Sequence, residues 1–448
     1  MENYVFKETD LTIMYDVKSG CFLDISNAEE AEYDKLYCNV FSDIPSKKDC
    51  FACEGTRLGR VSFVTTQGCN LKCKYCFAEG GTYNSTKQVI MSADTMKDAF
   101  RYLCEKYPDG INLVHFFGGE PMIGYGSIRE FVAWCSEFCE KNDLVMPKYS
   151  IVTNGTIMDD NVFGFLNEYG VNMVVSIDGT KELNDHARIS NTIKSVYDRI
   201  VYNFKELPSE RNFKIGCELT INKIHILKYK SGIVKEWLDD VRSIGFNYVT
   251  IGVAETDNPE CKITIDDKET LQSIEREVID YFFNRYLEED DFISVEIMSL
   301  LRQMAKKTKA LSCGAGYNSI TVMPTGEILP CYQFYHDDKF LMGRITETDE
   351  IKFEKIKEKF KTNFSDDSED CRECWMKNQC TIHCKGFSYN SSGSLSSVAH
   401  VRCWLLEAAM KRLMYNIAKL KKDEDEYNKF IDKLYQLNSR YAYNKRMV

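Results

Sequence analysis

Residues 69–81, CNLKCKYCFAEGG, place cysteines at positions 69, 73 and 76 and follow them with an aromatic residue and a glycine pair. A cubane iron–sulfur cluster takes four thiolates, one on each iron. A loop that supplies three leaves one iron with an open position, the arrangement by which catalytic metal sites receive a substrate. The C-x-x-x-C-x-x-C spacing lets a single loop wrap its thiolates around three corners of such a cube. Zinc is the competing reading. Zinc sites, however, pair C-x-x-C units with further Cys or His to reach four ligands, and no His lies near this loop in the sequence.

On both sides of the loop the chain alternates two kinds of segment. RVSFVTT (60–66), LVHFFGG (113–119), YSIVTNG (149–155), NMVVSIDG (172–179), IGCELTIN (215–222) and YVTIGVA (248–254) read as strands. Amphipathic segments at 92–106, 127–142, 158–169, 192–206 and 230–244 read as helices between them. Six β-α repeats predict parallel strands with right-handed crossovers, closed or partly closed into a barrel. Chemistry in such barrels gathers at the carboxyl ends of the strands. TTQGCN, FGGEP, VTNGT and SIDG each fall at such an end and so converge on one rim.

These residues resemble the radical S-adenosylmethionine (SAM) superfamily, whose loop is C-x-x-x-C-x-aromatic-C, with Tyr75 at the aromatic position. The resemblance implies an α/β fold, a partial (β/α)6 TIM-type barrel. It also implies a [4Fe–4S] cluster on Cys69, Cys73 and Cys76 whose open iron binds the amino and carboxylate groups of SAM. An electron from that cluster cleaves SAM to a 5′-deoxyadenosyl radical in the family. Gly118, Gly119, Glu120 and Pro121 resemble the motif that holds the SAM amino group. Glycines admit close backbone approach, and a carboxylate suits an ammonium. Ser176 and Asp178 stand where the family contacts the SAM ribose, and Asn154 is a further rim candidate. Arg188 is a candidate partner for the SAM carboxylate, because a guanidinium fits it bidentately. Asp178 and Glu255 are candidates for acid–base work; no other catalytic residue is assigned, since the cofactor carries the hard chemistry.

Past about residue 310 the periodicity fades and cysteines become frequent, until a helix expected at 399–420. Cys313, Cys331, Cys371, Cys374, Cys380, Cys384 and Cys403, with Gly326, follow C-x12-G-x4-C, then C-x2-C-x5-C-x3-C, then a last Cys. This pattern resembles the SPASM extension of peptide-modifying radical SAM enzymes, which carries two auxiliary [4Fe–4S] clusters and brings the total to three. The resemblance assigns Cys371, Cys374, Cys380 and Cys403 to one auxiliary cluster, and Cys313, Cys331 and Cys384 to the other. Relatives that include the anaerobic sulfatase maturases have a further cysteine six residues after the first. Here that position is Ser319, so an open iron is expected, unless Ser319, a water or a cysteine such as Cys50 or Cys53 closes it.

The net charge of −11 disfavours non-specific nucleic-acid binding, which needs a positive footprint. No apolar stretch is long enough for a signal peptide or membrane span, so a cytoplasmic protein is expected. Nineteen cysteines without signs of export point to metal or redox chemistry in the clusters. Scattered ones (Cys104, Cys135, Cys139, Cys217, Cys261) read as small buried hydrophobes. Residues 4–26 read as a hairpin turning at KSG, followed by a helix over 27–41 that Asn27 caps with Glu30 three residues on. The expected division is 1–59, 60–305 and 306–448. The first piece resembles part of a leader-recognition element, and a structural cap on the barrel is the competing reading. The expected activity is maturation of a cysteine-containing precursor peptide with a leader, joining a cysteine sulfur to carbon (ranthipeptide or SCIFF type, sactisynthase-like). A flavodoxin or ferredoxin is the expected electron donor. The alternative is an anaerobic sulfatase maturase, which makes formylglycine; carbon–carbon crosslinking and epimerisation belong to the same class.

Overall fold

The computed structural model describes residues 2–49, 55–288, 291–310, 313–347, 349–361, 368–381 and 383–442. Six parallel strands carry the design: β4 (Arg60–Thr66), β5 (Leu113–Gly118), β6 (Lys148–Thr153), β7 (Asn172–Ser176), β8 (Ile215–Ile221) and β9 (Tyr248–Val253). Before them come β1 (Asn3–Glu8), β2 (Leu11–Asp16) and β3 (Phe22–Asp24); after them come β10 (Ile293–Ser294), β11 (Ser319–Val322), β12 (Glu327–Leu329) and β13 (Gly343–Arg344). One sheet of ten strands runs β10-β9-β8-β7-β6-β5-β4-β11-β12-β13, so the barrel is open, with β10 and β13 at its edges. The sheet crosses the 305/306 division drawn from the sequence: β11 pairs in parallel with β4, Ser319 opposite Arg60.

Strand alternation sorts the side chains into two faces. Val61, Phe63, Val114, Phe116, Ile151, Met173, Val175, Cys217 and Val249 are fully buried in the core. Phe63, for example, meets Phe131 of the helix Tyr125–Lys141 edge-on at 5.4 Å. The opposite face carries Arg60, Ser62, His115, Ser150, Asn172, Ser176, Glu218 and Thr250, in rows fixed by the register. A strand buried on both faces would read as a continuous apolar run; these strands instead keep a polar lumen.

The helices start at residues that satisfy their first amides. The Thr95 N–H donates to Ser92 Oγ at 3.0 Å, and the Val162 N–H to Asp159 Oδ1 at 2.9 Å. No described helix is long and apolar enough to cross a membrane.

The N-terminal segment differs from the sequence expectation. Instead of one hairpin, β1, β2 and β3 form a three-stranded antiparallel sheet. The extra reversal is at Thr9, whose φ of 54 turns the chain, while Gly20 of KSG (φ 78) makes the second turn. Asn27 does not cap the following helix. A short 3-10 turn (Glu30–Glu32) precedes Tyr33–Phe41, and the Glu29 N–H donates to the Glu32 carboxylate at 3.4 Å. The sheet is fastened to the cysteine-rich tail: Tyr4 stacks on Trp375 with centroids 4.5 Å apart, and Asn378 Nδ2 donates to the Val17 carbonyl at 2.6 Å.

Candidate functional site: a three-thiol loop on a polar lumen

The loop 69–76 leaves the carboxyl end of β4 and is pinned from outside. Its Lys72 and Lys74 amides donate to the carbonyls of Ile189 and Ala187 at 2.7 and 2.9 Å. Asn154 holds it from the β6 end: Nδ2 donates to Asn70 Oδ1 at 2.8 Å and reaches Cys69 Sγ at 3.7 Å. Glycine is needed where the loop meets the GGEP turn. A Cβ on Gly119 would lie 2.2 Å from the Gly68 carbonyl oxygen, and one on Gly81 (φ +85) 2.4 Å from Gly119 Cα. Burial pushes the Cys69 thiol up to about 11 and the Cys73 thiol up to about 12, and the neighbouring Cys76 thiol adds to both. Both groups are thus held as neutral thiols, and a bound iron would supply the positive charge that stabilises their thiolate form.

The rim residues fall into a connected network. Glu120 is fully buried, and its carboxylate accepts from the Met122 N–H at 2.9 Å, Thr153 Oγ1 at 2.7 Å and the Asn154 N–H at 2.7 Å. Burial pushes its carboxyl up to about 6, against those hydrogen bonds. Glu120 therefore locks β5 to β6, with Pro121 opening the 3-10 turn after it. Asp178, also fully buried, accepts from Tyr75 Oη at 2.6 Å and from the Thr220 N–H at 3.2 Å. Arg188 sits 3.2 Å from Asp178 Oδ1 and 5.5 Å from the Tyr75 ring centroid. It is the buried Nε–H that faces this carboxylate, in an ion pair whose angle falls short of a hydrogen bond. Ser176 is half-buried at the end of β7. A glycine cradle with no room for a Cβ, three thiols on one clamped loop and a buried guanidinium beside them fit a cluster on the loop with an anionic ligand next to it. The cysteines at 69, 73 and 76 would hold the cluster, and Arg188 would meet the carboxylate of SAM.

In the tail, the Cys331 thiol is pushed up to about 12, first by burial and then by its neighbours Cys313 and Cys384, although no three such groups stand at metal-binding separation among the described residues. Cys403 is likewise pushed up to about 12 by burial, then by Cys371 and Cys374. Cys380 is buried in the core. The Ser319 hydroxyl accepts from Arg60 Nε at 3.0 Å. Cys50 and Cys53 lie outside the described residues. Glu255 is ion-paired with Arg402, beside Cys403, so its carboxylate is already committed. Cys135, Cys139, Cys217 and Cys261 are buried, and Cys104 partly so.

Sequence reasoning missed the lumen itself. Arg60, His115 and Glu218 alternate with buried residues along their strands, and only the register shows that they share one face. It also missed an aromatic partition between the two cysteine regions. Phe77, next to Cys76, lies 6.3 Å from Phe117, which stacks at 4.4 Å on Tyr332, next to Cys331.

Comparison with known proteins agrees with this architecture. Residues 63–221 match the radical SAM superfamily, and residues 313–375 match an iron–sulfur cluster-binding domain, SPASM. Over 384 residues the chain is 22% identical to the radical SAM cyclopropyl synthase TigE of Paramaledivibacter caminithermalis, spanning 80% of this chain and 75% of that protein. It is 25% identical over 294 residues to a cysteine-type anaerobic sulfatase-maturating enzyme of Clostridium novyi, spanning 63% and 75%. Among solved structures, anSMEcpe with bound AdoMet superposes with a TM-score of 0.63 at 18% identity, covering 80% of this chain and 99% of that one. Streptococcus suis SuiB bound to its precursor peptide SuiA gives 0.53 at 16% identity, covering 88% and 97%. The first match implies a [4Fe–4S] cluster and AdoMet, and the second points to additional clusters. The chain thus carries a radical SAM domain followed by a SPASM domain, which makes it a radical SAM enzyme.

Proposed function

We propose that this enzyme matures a cysteine-containing precursor peptide by joining a cysteine sulfur to a carbon of the same peptide. The observation that carries this reading is Ser319, tied to Arg60 at the position where the resemblance to sulfatase maturases would put a further cysteine, with Cys313 and Cys384 near Cys331. An auxiliary cluster on three protein thiols has room for a substrate thiolate, and holding it there would fix its direction of approach. When bound, the loop cluster and AdoMet supply a radical that removes a hydrogen atom from the peptide. The chain's own residues do the rest. Glu120 and Asn154 fix the loop, Arg188 and Asp178 set the charge beside it, and the polar lumen receives the peptide. A reduced flavodoxin or ferredoxin would supply the first electron, and auxiliary clusters held by the tail cysteines would supply an acceptor for the electron left after bond formation. Peptides recur among the related structures: SuiB with SuiA, and anSMEcpe with a Cp18Cys peptide.

A second reading, formylglycine formation as in the sulfatase-maturating relatives, draws support from the higher TM-score of anSMEcpe, 0.63 against 0.53. Mass spectrometry separates the two. The anaerobically reconstituted enzyme is incubated with AdoMet, a reductant and a synthetic cysteine-containing peptide. Loss of two hydrogen atoms with the sulfur retained and unreactive to alkylation is expected. Loss of sulfur with gain of oxygen would overturn the thioether reading.

A further inference from the structure

The carboxylates around the lumen are committed, with two exceptions among the described residues: Glu218 and, on the helix Lys268–Leu287, Glu275, which is half-buried beside Glu296. Glu120 accepts three hydrogen bonds. Asp178 is held by Tyr75, the Thr220 N–H and Arg188. Glu255 is paired with Arg402, and Glu296 accepts from the Ile251 N–H at 3.1 Å and Ser294 Oγ at 3.2 Å. Glu218 is different: its carboxylate has no hydrogen-bond or ion-pair partner among the described residues. It is half-buried, so water solvates it incompletely. An acceptor withdrawn from water without a donor costs free energy that nothing within the fold returns.

Its position is fixed by the sheet register. Glu218 on β8 lies beside Ser176 on β7 and Thr250 on β9, so the three share one face. Its neighbours Cys217 and Leu219 are buried on the other face. One step toward the amino end of the strands, the lumen is plugged: a Cβ on Gly216 would lie 2.1 Å from the Tyr248 ring. One step toward the carboxyl end it is open, since a Cβ on Gly252, which pairs with Thr220, would meet nothing within 4 Å. Glu218 therefore stands at the floor of the open end, in the same row as Ser176 of the SIDG motif. Burial pushes its carboxyl up, while the guanidinium groups of Arg188, on the loop side, and Arg402, on the tail side, oppose that shift.

We propose that Glu218 positions the substrate, its carboxylate accepting a hydrogen bond from a backbone N–H of the precursor peptide at the floor of the lumen. This rests on the peptide reading above. A peptide backbone offers such donors at every residue, and a single strong acceptor would hold the reacting residue in register with the radical source. No bond is made or broken at Glu218.

The test is the coupling ratio, modified peptide formed per 5′-deoxyadenosine released, in the holoenzyme with AdoMet, dithionite and the same synthetic cysteine-containing peptide. Glu218→Ala is expected to lower the ratio by roughly tenfold, the scale of one lost hydrogen bond to a charged group, with iron content and AdoMet binding unchanged. Glu218→Gln keeps an acceptor oxygen and is expected to recover most of the loss. A wild-type ratio in Glu218→Ala, or a Glu218→Gln ratio as low as that of Ala, would overturn the assignment while leaving the peptide reading intact. AdoMet cleavage by the wild type with no peptide conversion would overturn both.

Discussion

Cys69, Cys73 and Cys76 share one loop whose backbone is clamped to residues 187–190 and whose base is gripped by Asn154. Cys313, Cys331 and Cys384 come instead from three separated segments, and only tertiary packing makes Cys313 and Cys384 neighbours of Cys331. The first set is a local device with external struts; the second is a product of tertiary structure. The two should therefore fail separately: damage to the loop removes radical initiation and leaves the tail able to bind iron. Between them stands the partition of Phe77, Phe117 and Tyr332, which packs the two regions against each other without a shared ligand.

The largest effect expected from breaking this contrast is the combined change Cys69→Ala, Cys73→Ala and Cys76→Ala. Reductive cleavage of AdoMet, followed by chromatography of 5′-deoxyadenosine, should fall to background while the tail retains its iron. Loss of iron from both regions would show that the loop and tail are not independent.

Next in size is Glu120→Ala, which strips an acceptor from two backbone amides and the Thr153 hydroxyl in a fully buried place. A loss of about 2–4 kcal/mol in denaturant unfolding is expected, from orphaned donors at about 1–3 kcal/mol each with partial relaxation. A neutral result would mean that the GGEP turn is held by its glycines alone.

The smallest effect, per unit of pH, concerns the lumen wall. Burial first, then Arg60, pushes His115 down to about 3, below its ordinary value of 6.5. A depressed folded value means that the unfolded chain binds the proton more readily. The stability is thus complete above pH 6.5 and is lost as pH falls from there toward 3. One proton corresponds to about 1.4 kcal/mol per pH unit over that window. Urea titrations of His115→Gln should show a shallower decline between these limits, and an unchanged slope would place the acid sensitivity elsewhere.

The strands were legible because apolar runs bounded by Gly and Asn turns are local signals, and β4 to β9 fall where those runs predict. The rim motifs were legible for the same reason. What the sequence hid depends on register and on distant partners. Ser319 meets Arg60 only through the β11–β4 pairing, and Glu218 becomes a lumen residue only when β7 and β9 flank it. The Thr9 turn carried no glycine to mark it, so the N-terminal sheet gained a strand that the hairpin reading lacked. The bonds that Glu120 accepts from Met122, Thr153 and Asn154 were hidden for the same reason, since they need the ends of β5 and β6 side by side.

Iron and acid-labile sulfide, measured per chain on anaerobically reconstituted wild type and on the triple loop variant, test the separation of the two regions most directly. Three cubanes predict about 12 irons in the wild type and about eight in the variant. About four irons in the wild type, falling to none in the variant, would contradict the account.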